Sequence, residues 1–393
     1  MELRTLADMG DIAGKRVLVR ADLNVPTENG RIIDGTRISR FAPTARALAE
    51  RGAKVIILTH FGRPKGVSAE FSDAFIAPAL AAEIGRPVAF APDCAGPSAE
   101  GAVAEMKDGG VLLLENVRFH PQEEANDPEF ARELASLGDL FVNDAFSAAH
   151  RAHASTVGIT RYLPSYAGLL MQEEAAALSG ALDDPARPSA AIVAGSKIST
   201  KLLVIENVAA KVDLVIVGGA MANTFLLAQG IKVGASLAEK DMADVARRIM
   251  AKHGGKIFLP VDACVAKTLD KDAPWEFKDI FAIADDDKIL DIGEKTSAMI
   301  RDKLGTAKTV LLNGTLGVYE TPQFARGSIE AARDIAALTR SGSIMSVAGG
   351  GDTVATLNMA GAASEFTYVS TAGGAFLEWL EGKTLPAIPP LAK

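Results

Sequence analysis

Short apolar runs rich in valine, isoleucine and leucine alternate with Ala-, Leu- and Glu-rich segments along the whole 393-residue chain. Near-continuous apolar runs of this length are typical of strands that are covered on both faces, as in parallel sheets whose strands are joined by helices. The alternation predicts an α/β protein with doubly wound parallel sheets. The candidate strands are, in order, RVLVRADL, KVIILTHF, PVAFAP, GVLLLENV, LFVNDAF, AAIVAG, LVIVGG, KIFLPVD, TVLLNG and SIMSVAGG.

The length of the chain and one punctuated segment near its middle indicate how it divides. At roughly 100–200 residues per domain, the chain has room for two domains or three. Pro164 ends the first half, a helical segment follows over about residues 167–182, and DDPARP reads as a loop. We therefore predict a first domain over residues 1–166, a hinge helix and linker over 167–185, and a second domain over 186–374.

The composition argues against several classes of partner. The net charge is −8, so we expect no basic surface that binds nucleic acid or an anionic membrane. No run of 18 apolar residues and no signal-peptide pattern occurs. The two cysteines, Cys94 and Cys264, are far apart and read as buried, reduced thiols. These features predict a cytoplasmic protein.

The residues that follow the candidate strands of the first half are repeatedly basic. In open α/β sheets, ligands bind beyond the carboxyl ends of the strands, so these residues are candidates for one site. A guanidinium group can bind two oxygens of one phosphate or carboxylate at once. Five guanidinium groups at one edge of an acidic protein therefore predict a local anion site. The arginines are Arg20, Arg37, Arg63, Arg118 and Arg151, accompanied by Asp22, Asn24, His60 and His120.

The candidate strands of the second half end in glycine-rich segments instead: AGSKISTK, VGGAMANTF, NGTLGVYE and VAGGGDT. Glycine lets a ligand approach the backbone, and the start of the following helix presents free N–H groups to phosphate. Neither the Walker A spacing nor the dinucleotide fingerprint is present. Asp352 is a candidate ligand for Mg2+, which prefers one or two carboxylates together with phosphate oxygens and water. The pattern predicts a nucleotide phosphate site.

Three other motifs have simpler interpretations. The two histidines of HRAH are spaced i, i+3 without a glutamate, which is a weak zinc signal, so we interpret them as structural or supporting residues. The EGKT segment at 381–384 lacks the first glycine of a phosphate-binding loop. The DDD segment at 285–287 reads as a solvated turn.

Seven motifs between Arg16 and Pro386 together resemble the phosphoglycerate kinase family: RADLNVP, THFGRP, LLLENVRFH, VNDAF…AHRAH, GSKISTK, GVYE and GGGDT. The resemblance implies two Rossmann-like domains with a hinge, and a C-terminal tail, about residues 375–393, that returns to the first domain. It also implies a monomer that catalyses reversible, Mg2+-dependent phosphoryl transfer in glycolysis and gluconeogenesis. In this reaction 1,3-bisphosphoglycerate and ADP give 3-phosphoglycerate and ATP.

The same resemblance implies roles for individual residues. The phosphoglycerate site would comprise Asp22, Asn24, Arg37, His60, Arg63, Arg118 and Arg151. The nucleotide site would comprise Lys197, Lys201, Gly219, Glu320, Gly350, Gly351, Asp352 and Thr353, with Glu320 at the ribose hydroxyls and Asp352 at the Mg2+ ion. The transferring phosphoryl group would meet Arg37, Lys197 and the backbone N–H groups near Gly373 and Gly374. If a helix begins near Ser199, Lys201 faces the nucleotide phosphates and Lys197 the group in transfer.

The chemistry of such a reaction matches the residue types. The leaving group of an acyl phosphate is a carboxylate, which is unprotonated near neutrality, so neither direction needs a general base. Catalysis then consists of positioning, domain closure and charge stabilisation by cations and backbone donors. The chain departs from the family pattern at Thr200, Thr315, Tyr319 and Ala372, which leaves the charged residues intact.

Two other functions stay open on the sequence. A kinase for a different small carboxylic acid has the same requirements, although five arginines favour a substrate that carries its own phosphate. A hinged two-domain binding protein without catalytic activity is the alternative from another class. Its periplasmic forms need a signal peptide, and a catalytically inactive relative is expected to lack Arg37, Lys197 or Asp352, which are all present.

Overall fold

A computed structural model describes residues 2–393 and divides the chain into two compact units. Unit 1 comprises Met1–Ala175 and Thr384–Lys393, and unit 2 comprises Ala176–Lys383. The last ten residues pack within unit 1, where Ala387 N donates to Ala149 O at 3.1 Å and Arg4 N donates to Leu391 O at 2.7 Å.

Unit 1 contains a six-stranded sheet in the order β5-β6-β4-β1-β7-β8, in which every pairing is parallel. Its strands, including a small β2–β3 hairpin, are β1 Arg16–Arg20, β2 Thr27–Glu28, β3 Arg31–Ile32, β4 Lys54–Leu58, β5 Val88–Ala91, β6 Val111–Leu114, β7 Leu140–Asn143 and β8 Ser165–Ala167. Its helices are α1 Thr36–Glu50, α2 Ile76–Ile84, α3 Gly96–Ala104, α4 Pro128–Ser136 and α5 Leu169–Leu178, the last of which runs into unit 2.

Both faces of this sheet are buried. Val17 and Val19 of β1 pack in one apolar cluster, whereas Leu18 between them packs in another on the opposite face. Successive side chains of a strand point to opposite faces, so a strand with helices on both sides must be apolar at every position. This burial explains why β1 and β4 appear in the sequence as near-continuous apolar runs.

Unit 2 contains a second six-stranded parallel sheet, in the order β11-β10-β9-β15-β16-β17, and a three-stranded antiparallel sheet in the order β13-β12-β14. The strands are β9 Ser189–Ala194, β10 Leu214–Gly218, β11 Ile257–Phe258, β12 Asp262–Ala266, β13 Trp275–Asp279, β14 Lys288–Ile292, β15 Thr309–Asn313, β16 Met345–Gly349 and β17 Tyr368–Ser370. The helices are α6 Leu202–Lys211, α7 Ala220–Ala228, α8 Ala243–His253, α9 Glu294–Gly305, α10 Arg326–Arg340, α11 Gly351–Ala360 and α12 Gly374–Leu380.

The predicted α/β class with two parallel sheets is confirmed, and each of the ten candidate strands overlaps an observed strand. The antiparallel sheet and the three-residue strands β8 and β17 were not predicted. The solvated turn predicted at 285–287 is wrong for Asp287, which is 1% exposed and accepts hydrogen bonds from Lys267 and Lys278 at 2.7 and 2.8 Å. Lys267, directly after β12, and Lys278 of β13 compensate the burial of this carboxylate.

In the described part of the chain, no helix is both long and apolar enough to span a membrane. Cys94 and Cys264 are free and buried, as predicted.

Candidate functional site

The basic residues of unit 1 lie at one edge of its parallel sheet. Strands β6, β4, β1 and β7 are neighbours in the sheet and run in the same direction, so the segments after them meet beyond their carboxyl ends. Asp22 follows β1 and His60 follows β4. Arg118 follows β6 on a short 3-10 turn, Val117–Phe119, and the Asn116 side chain caps this turn by accepting from Arg118 N at 3.0 Å.

Asp22 anchors one side of this edge. Its carboxylate forms an ion pair with Arg37, in the first turn of α1, and accepts a hydrogen bond from the Ser147 hydroxyl. Burial alone would raise the pKa of Asp22, but the charge of Arg37, the Ser147 hydrogen bond and the charge of Arg20 bring it below its ordinary value. The Asp22 carboxylate therefore stays charged at neutral pH and holds the Arg37 guanidinium at this edge.

Beneath these residues lies a buried guanidinium. Arg20 is 1% exposed, and its Nε donates to Ser155 Oγ at 2.8 Å. Ser155 Oγ in turn donates to the buried Glu123 carboxylate at 2.6 Å, and Ser155 N donates to the same carboxylate at 2.9 Å. A buried charge is tolerated when it is paired and hydrogen-bonded, so this network fixes a permanent positive charge below the strand ends.

His60 adds a neutral donor to the edge. Burial lowers the pKa of His60 well below its ordinary value, and the positive charge of Arg20 lowers it further. Arg20 Nη2 lies 3.0 Å from His60 Nδ1, and a guanidinium can only donate, so Nδ1 is the acceptor. The ring proton therefore resides on Nε2, which is a hydrogen-bond donor at neutral pH.

The loop after β4 positions two more of the predicted residues. Asn24 Oδ1 accepts from Gly62 N at 2.9 Å, and Arg118 Nη1 donates to Gly62 O at 2.7 Å. Burial lowers the pKa of Arg118, and the charges of Arg151 and Arg20 act in the same direction, although Glu124 at 3.2 Å opposes them. Like charges that lower one another's pKa repel, which favours the binding of an anion among them.

The outer members of the set are held less firmly. Arg151 Nε donates to the ring of His150 at 3.1 Å. Arg63 is exposed and makes no hydrogen bond or ion pair with the residues that the structure describes. Sequence reasoning missed the supporting residues Ser147, Ser155 and Glu123, because the type of an isolated serine or glutamate does not indicate which distant residue it will contact.

In unit 2, the glycine-rich strand ends surround a cavity of about 910 Å³. The turns after β9, β10, β15 and β16 all contribute to its wall, because these strands are neighbours in one parallel sheet. Seven of the predicted nucleotide residues line it: Lys201, Gly219, Glu320, Gly350, Gly351, Asp352 and Thr353. Lys197, Gly373 and Gly374 are not among the lining residues.

Two glycines are required where backbone segments meet at this cavity. Gly219 has a φ of +67°, and a Cβ atom there would lie 2.6 Å from Gly195 O. Gly314 has a φ of +98°, and a Cβ atom there would overlap the Ala194 carbonyl. Left-handed backbone and close backbone approach both favour glycine. These glycines thus let the turns after β9, β10 and β15 close around the cavity.

The two predicted lysines occupy different environments. Helix α6 begins at Leu202, three residues after the predicted start, and Lys201 is its N-terminal cap residue. The Lys201 ammonium donates to Asn313 Oδ1, and burial lowers the pKa of Lys201. Asn313, which sequence reasoning missed, also donates to Gly349 O at 2.8 Å. Lys197 precedes the turn and is exposed.

Asp352 lies in the first turn of α11, where its carboxylate is exposed at the rim of the cavity. Tyr319 Oη donates to Asp352 Oδ1 at 3.2 Å, a contact that was not predicted. Thr353 Oγ1 accepts from Gly314 N at 2.8 Å and so ties the start of α11 to the turn after β15. Glu320 is exposed and lines the same cavity.

A buried carboxyl group in the cavity wall was also missed. Asp291, at 2% exposure, accepts from Gly327 N at 2.7 Å and from Ile292 N at 2.8 Å. Burial raises the pKa of Asp291 to about 7, although these backbone donors oppose the shift. The rest of this wall is largely apolar and includes Leu226, Leu237, Leu269, Ile280 and Ile289. A cavity that has hydrogen-bond donors for phosphate in one part and an apolar wall in another suits a nucleotide.

Gly373 and Gly374 lie at the start of the short helix α12. Gly373 has a φ of +52° and is its N-terminal cap residue, and both glycines are exposed. Among the residues of this helix, Leu377 lines the cavity.

The chain matches the family model described as phosphoglycerate kinase over residues 6–383. Phosphoglycerate kinase from Azorhizobium caulinodans is 54% identical over 393 residues, which cover 99% of each chain. Phosphoglycerate kinase from Rhodospirillum centenum is 56% identical over 395 residues, which cover 100% of each chain.

Two solved structures are similar over nearly their whole length. The structure of phosphoglycerate kinase from Coxiella burnetii has a TM-score of 0.93 and 41% identity, with 100% of both chains covered. The crystal structure of phosphoglycerate kinase from Pyrococcus horikoshii OT3 has a TM-score of 0.80 and 33% identity, with 99% of this chain and 98% of that chain covered. The strand-end motifs, the two parallel sheets and these similarities agree: the chain belongs to the phosphoglycerate kinase family.

Proposed function

We propose that this protein transfers a phosphoryl group reversibly between 1,3-bisphosphoglycerate and ADP, giving 3-phosphoglycerate and ATP, as a step of glycolysis and gluconeogenesis. Family membership over residues 6–383 supports this reaction. The observation that carries the assignment is the presence of two chemically different sites. The site in unit 1 contains several guanidinium groups, and the site in unit 2 is a glycine-lined cavity of about 910 Å³.

The basic edge of unit 1 is proposed as the phosphoglycerate site. The non-transferred phosphate would bind Arg63, Arg118 and Arg151, because guanidinium groups pair with phosphate oxygens. Asp22, Asn24 and the neutral His60 would orient the rest of the molecule, with Arg37 beside the carboxyl group that carries the acyl phosphate. The contacts among Asp22, Arg37 and Ser147 support this role, since they fix the side chains before a ligand binds.

The cavity of unit 2 is proposed as the site of ADP and ATP. The phosphates would bind Lys201 and the N–H groups at the start of α11, formed by Gly350, Gly351, Asp352 and Thr353. Gly219 would allow close approach of the nucleotide to the backbone, Glu320 would bind the ribose hydroxyls, and the apolar wall would hold the base.

The residues at the rim of the cavity fit a Mg2+ ion. Asp352 offers a single exposed carboxylate beside the proposed phosphate site, and one carboxylate with phosphate oxygens and water is the set that Mg2+ prefers. Asp352 would hold the ion, and the ion would neutralise the charge of the nucleotide phosphates. Tyr319, which donates to Asp352 Oδ1, would orient the carboxylate.

Catalysis is proposed to depend on positioned positive charge and backbone donors. The carboxylate that leaves or attacks is already unprotonated, so no proton has to be moved. Arg37, Lys197 and the N–H groups near Gly373 and Gly374 would stabilise the charge on the transferring phosphoryl group. Lys197 is exposed and does not line the cavity. Its position is consistent with a group that acts only when both substrates are bound.

A coupled assay tests the assignment by following ATP-dependent formation of 1,3-bisphosphoglycerate from 3-phosphoglycerate. Glycerate, which has the carboxylate but not the phosphate, is the matched substrate control. We expect Mg2+-dependent turnover with 3-phosphoglycerate and none with glycerate. Equal turnover of both acids would indicate a kinase for unphosphorylated acids, and tight binding of both ligands without turnover would indicate a binding protein.

We also propose that the protein is a cytoplasmic monomer. Each proposed site is built from one chain, and no part of either needs a residue from a second copy. Light scattering coupled to size-exclusion chromatography tests the monomer, for which the expected mass is 41.0 kDa.

A further inference from the structure

A cluster of three potential metal ligands lies in unit 1 and takes no part in the proposed reaction. Asp93 and Cys94 lie between β5 and α3, and His120 follows the turn Val117–Phe119. One carboxylate oxygen, Cys94 Sγ and one ring nitrogen all lie within 4.8 Å of one another. Among residues 2–393, no other group of three or more histidine, cysteine or acidic side chains is as close.

The distances are near those of a tetrahedral Zn2+ site. Zinc binds nitrogen and oxygen at about 2.0–2.1 Å and sulfur at about 2.3 Å, which places neighbouring ligand atoms about 3.3–3.7 Å apart. His120 Nε2 now lies 2.8 Å from Asp93 Oδ1, so this pair would open slightly. The other pairs would close by at most about 1.5 Å, which is within the reach of side-chain rotation.

The three side chains are already held in place by the fold. Cys94 N donates to Asp93 Oδ1 at 2.7 Å, which orients the carboxylate. The His120 ring stacks on Phe130, with ring centroids 5.0 Å apart. Cys94 is fully buried in the apolar cluster under this edge of the sheet. A site whose ligands are fixed by packing loses little conformational freedom when an ion binds.

The cluster is also accessible from solvent on one side. The Asp93 side chain is 44% exposed and that of His120 is 31% exposed, whereas the thiol lies behind them. An ion could therefore enter between the carboxylate and the ring, and a water molecule could occupy a fourth position. Thiolate and imidazole ligands favour Zn2+ and Co2+, whereas Mg2+ prefers an all-oxygen set.

We propose that Asp93, Cys94 and His120 form a binding site for Zn2+ or a similar borderline transition-metal ion. On binding, the Cys94 S–H bond breaks, its proton leaves to solvent, and the thiolate binds the metal. The ion would join the segment after β5 to the segment that carries His120 and, two residues earlier, Arg118. The alternative is a hydrogen-bonded His120–Asp93 pair beside an unrelated core thiol.

Titration of the full-length, metal-free protein with Co2+, in the absence of nucleotide and phosphoglycerate, distinguishes the metal site from the hydrogen-bonded pair. We expect one equivalent of Co2+ to produce a thiolate-to-metal charge-transfer band that Zn2+ abolishes and excess Mg2+ does not. Cys94→Ser should remove the band, and Cys264→Ser, at the only other cysteine, should keep it. Absence of the band in the wild-type protein, or its survival in Cys94→Ser, would overturn the proposal.

His120→Gln provides a second test on a side chain that is partly exposed, so that folding of the Cys94 variant does not decide the result. Zinc affinity, measured by competition with a chromophoric chelator, should fall at least tenfold in this variant. At the same Zn2+ concentration, the thermal midpoint should rise less in His120→Gln than in the wild-type protein. Equal zinc affinity in the two proteins would exclude His120 as a ligand and contradict the site.

Discussion

The two units have similar parallel sheets, yet their strand ends present opposite kinds of binding group. In unit 1, charged side chains lie beyond the strands and form ion pairs there, such as Asp22 with Arg37 and Arg118 with Glu124. In unit 2, glycines such as Gly219 and Gly350 leave the backbone exposed around a cavity. A small, highly charged ligand can be recognised by side chains alone, whereas a nucleotide needs space and backbone donors.

The difference also appears in one carboxyl group from each site, Asp22 in unit 1 and Asp291 in unit 2. Asp22 is surrounded by cations, which bring its pKa below the ordinary value despite burial. Asp291 has only backbone N–H donors as hydrogen-bond partners, and burial raises its pKa to about 7. The same residue type therefore carries a permanent charge in unit 1 and titrates near neutrality in unit 2.

The largest effect is expected at the basic edge. Arg118→Ala removes a buried guanidinium, so 3-phosphoglycerate should bind more weakly by about 2–5 kcal/mol, as when a charge pair loses one partner. ATP affinity should hardly change. Calorimetric titration of each ligand measures both values, and Arg132→Ala, at an exposed ion pair on α4, is the control. Equal losses for the two ligands would contradict the assignment of separate sites.

The next largest effect is expected for Lys197. If its ammonium contacts only the group in transfer, Lys197→Ala should lower kcat by about 100-fold or more, with little change in ATP affinity. Lys201→Ala is the matched variant and should mainly raise the ATP requirement, because Lys201 is held against Asn313 in the cavity wall. If kcat and the ATP dissociation constant stay within about twofold of wild type in both variants, neither lysine has the proposed role.

The proposed metal ligand is expected to affect unit 2 alone. Asp352→Asn keeps the shape of the side chain but removes its charge, so the Mg2+ concentration needed for tight ATP binding should rise at least about tenfold. Binding of 3-phosphoglycerate should stay near wild type. ATP titrations at several Mg2+ concentrations measure the shift, with the exposed Asp302→Asn as control. An unchanged Mg2+ dependence would mean that Asp352 does not hold the ion.

The contrast between the carboxyl groups predicts a pH effect in unit 2. The folded-state pKa of Asp291 is raised, so the native state takes up this proton first as the pH falls through about 7. For each unit by which the pH falls between about 7 and 4, the stability of the wild-type protein relative to Asp291→Asn should therefore rise by up to about 1.4 kcal/mol. Parallel stability curves for the two proteins would contradict the raised pKa.

Tryptophan fluorescence is suited to this measurement. Both tryptophans, Trp275 and Trp379, lie in unit 2, so urea denaturation followed by fluorescence reports on the unit that contains Asp291. The loss of a backbone hydrogen bond in Asp291→Asn lowers the free energy of unfolding by the same amount at every pH. It therefore does not change the slope of that free energy against pH.

The smallest effect is expected at Tyr319. Its hydroxyl donates to the exposed Asp352 carboxylate, and one such hydrogen bond contributes about 0.5–1 kcal/mol. Tyr319→Phe should therefore raise the Mg2+ requirement for ATP binding by about two- to fivefold. The 3-phosphoglycerate affinity provides the internal control. An unchanged or lower Mg2+ requirement would show that Tyr319 does not orient the carboxylate.

Local patterns were sufficient for much of the fold and for the chemical character of the sites. A strand buried on both faces must be apolar throughout, so strands such as β1 and β4 can be located from sequence. The short edge strands β8 and β17 and the antiparallel strands β13 and β14 carry no such run. Pairing with neighbouring strands stabilises them, and a local pattern does not show that pairing. Similarly, Asp352 follows an identifiable glycine-rich turn, whereas Asp291 gains its raised pKa only from burial.

The sequence by itself determined the α/β class, the charged strand ends of the first half and the glycine-rich strand ends of the second, because each depends on neighbouring residues along the chain. Only the tertiary structure decided which distant groups meet. Lys201 reaches Asn313, 112 positions away, because β9 and β15 are neighbours in the sheet. Cys94 meets His120 because β5 pairs with β6, and sheet order, which sets these contacts, is fixed by packing rather than by local pattern.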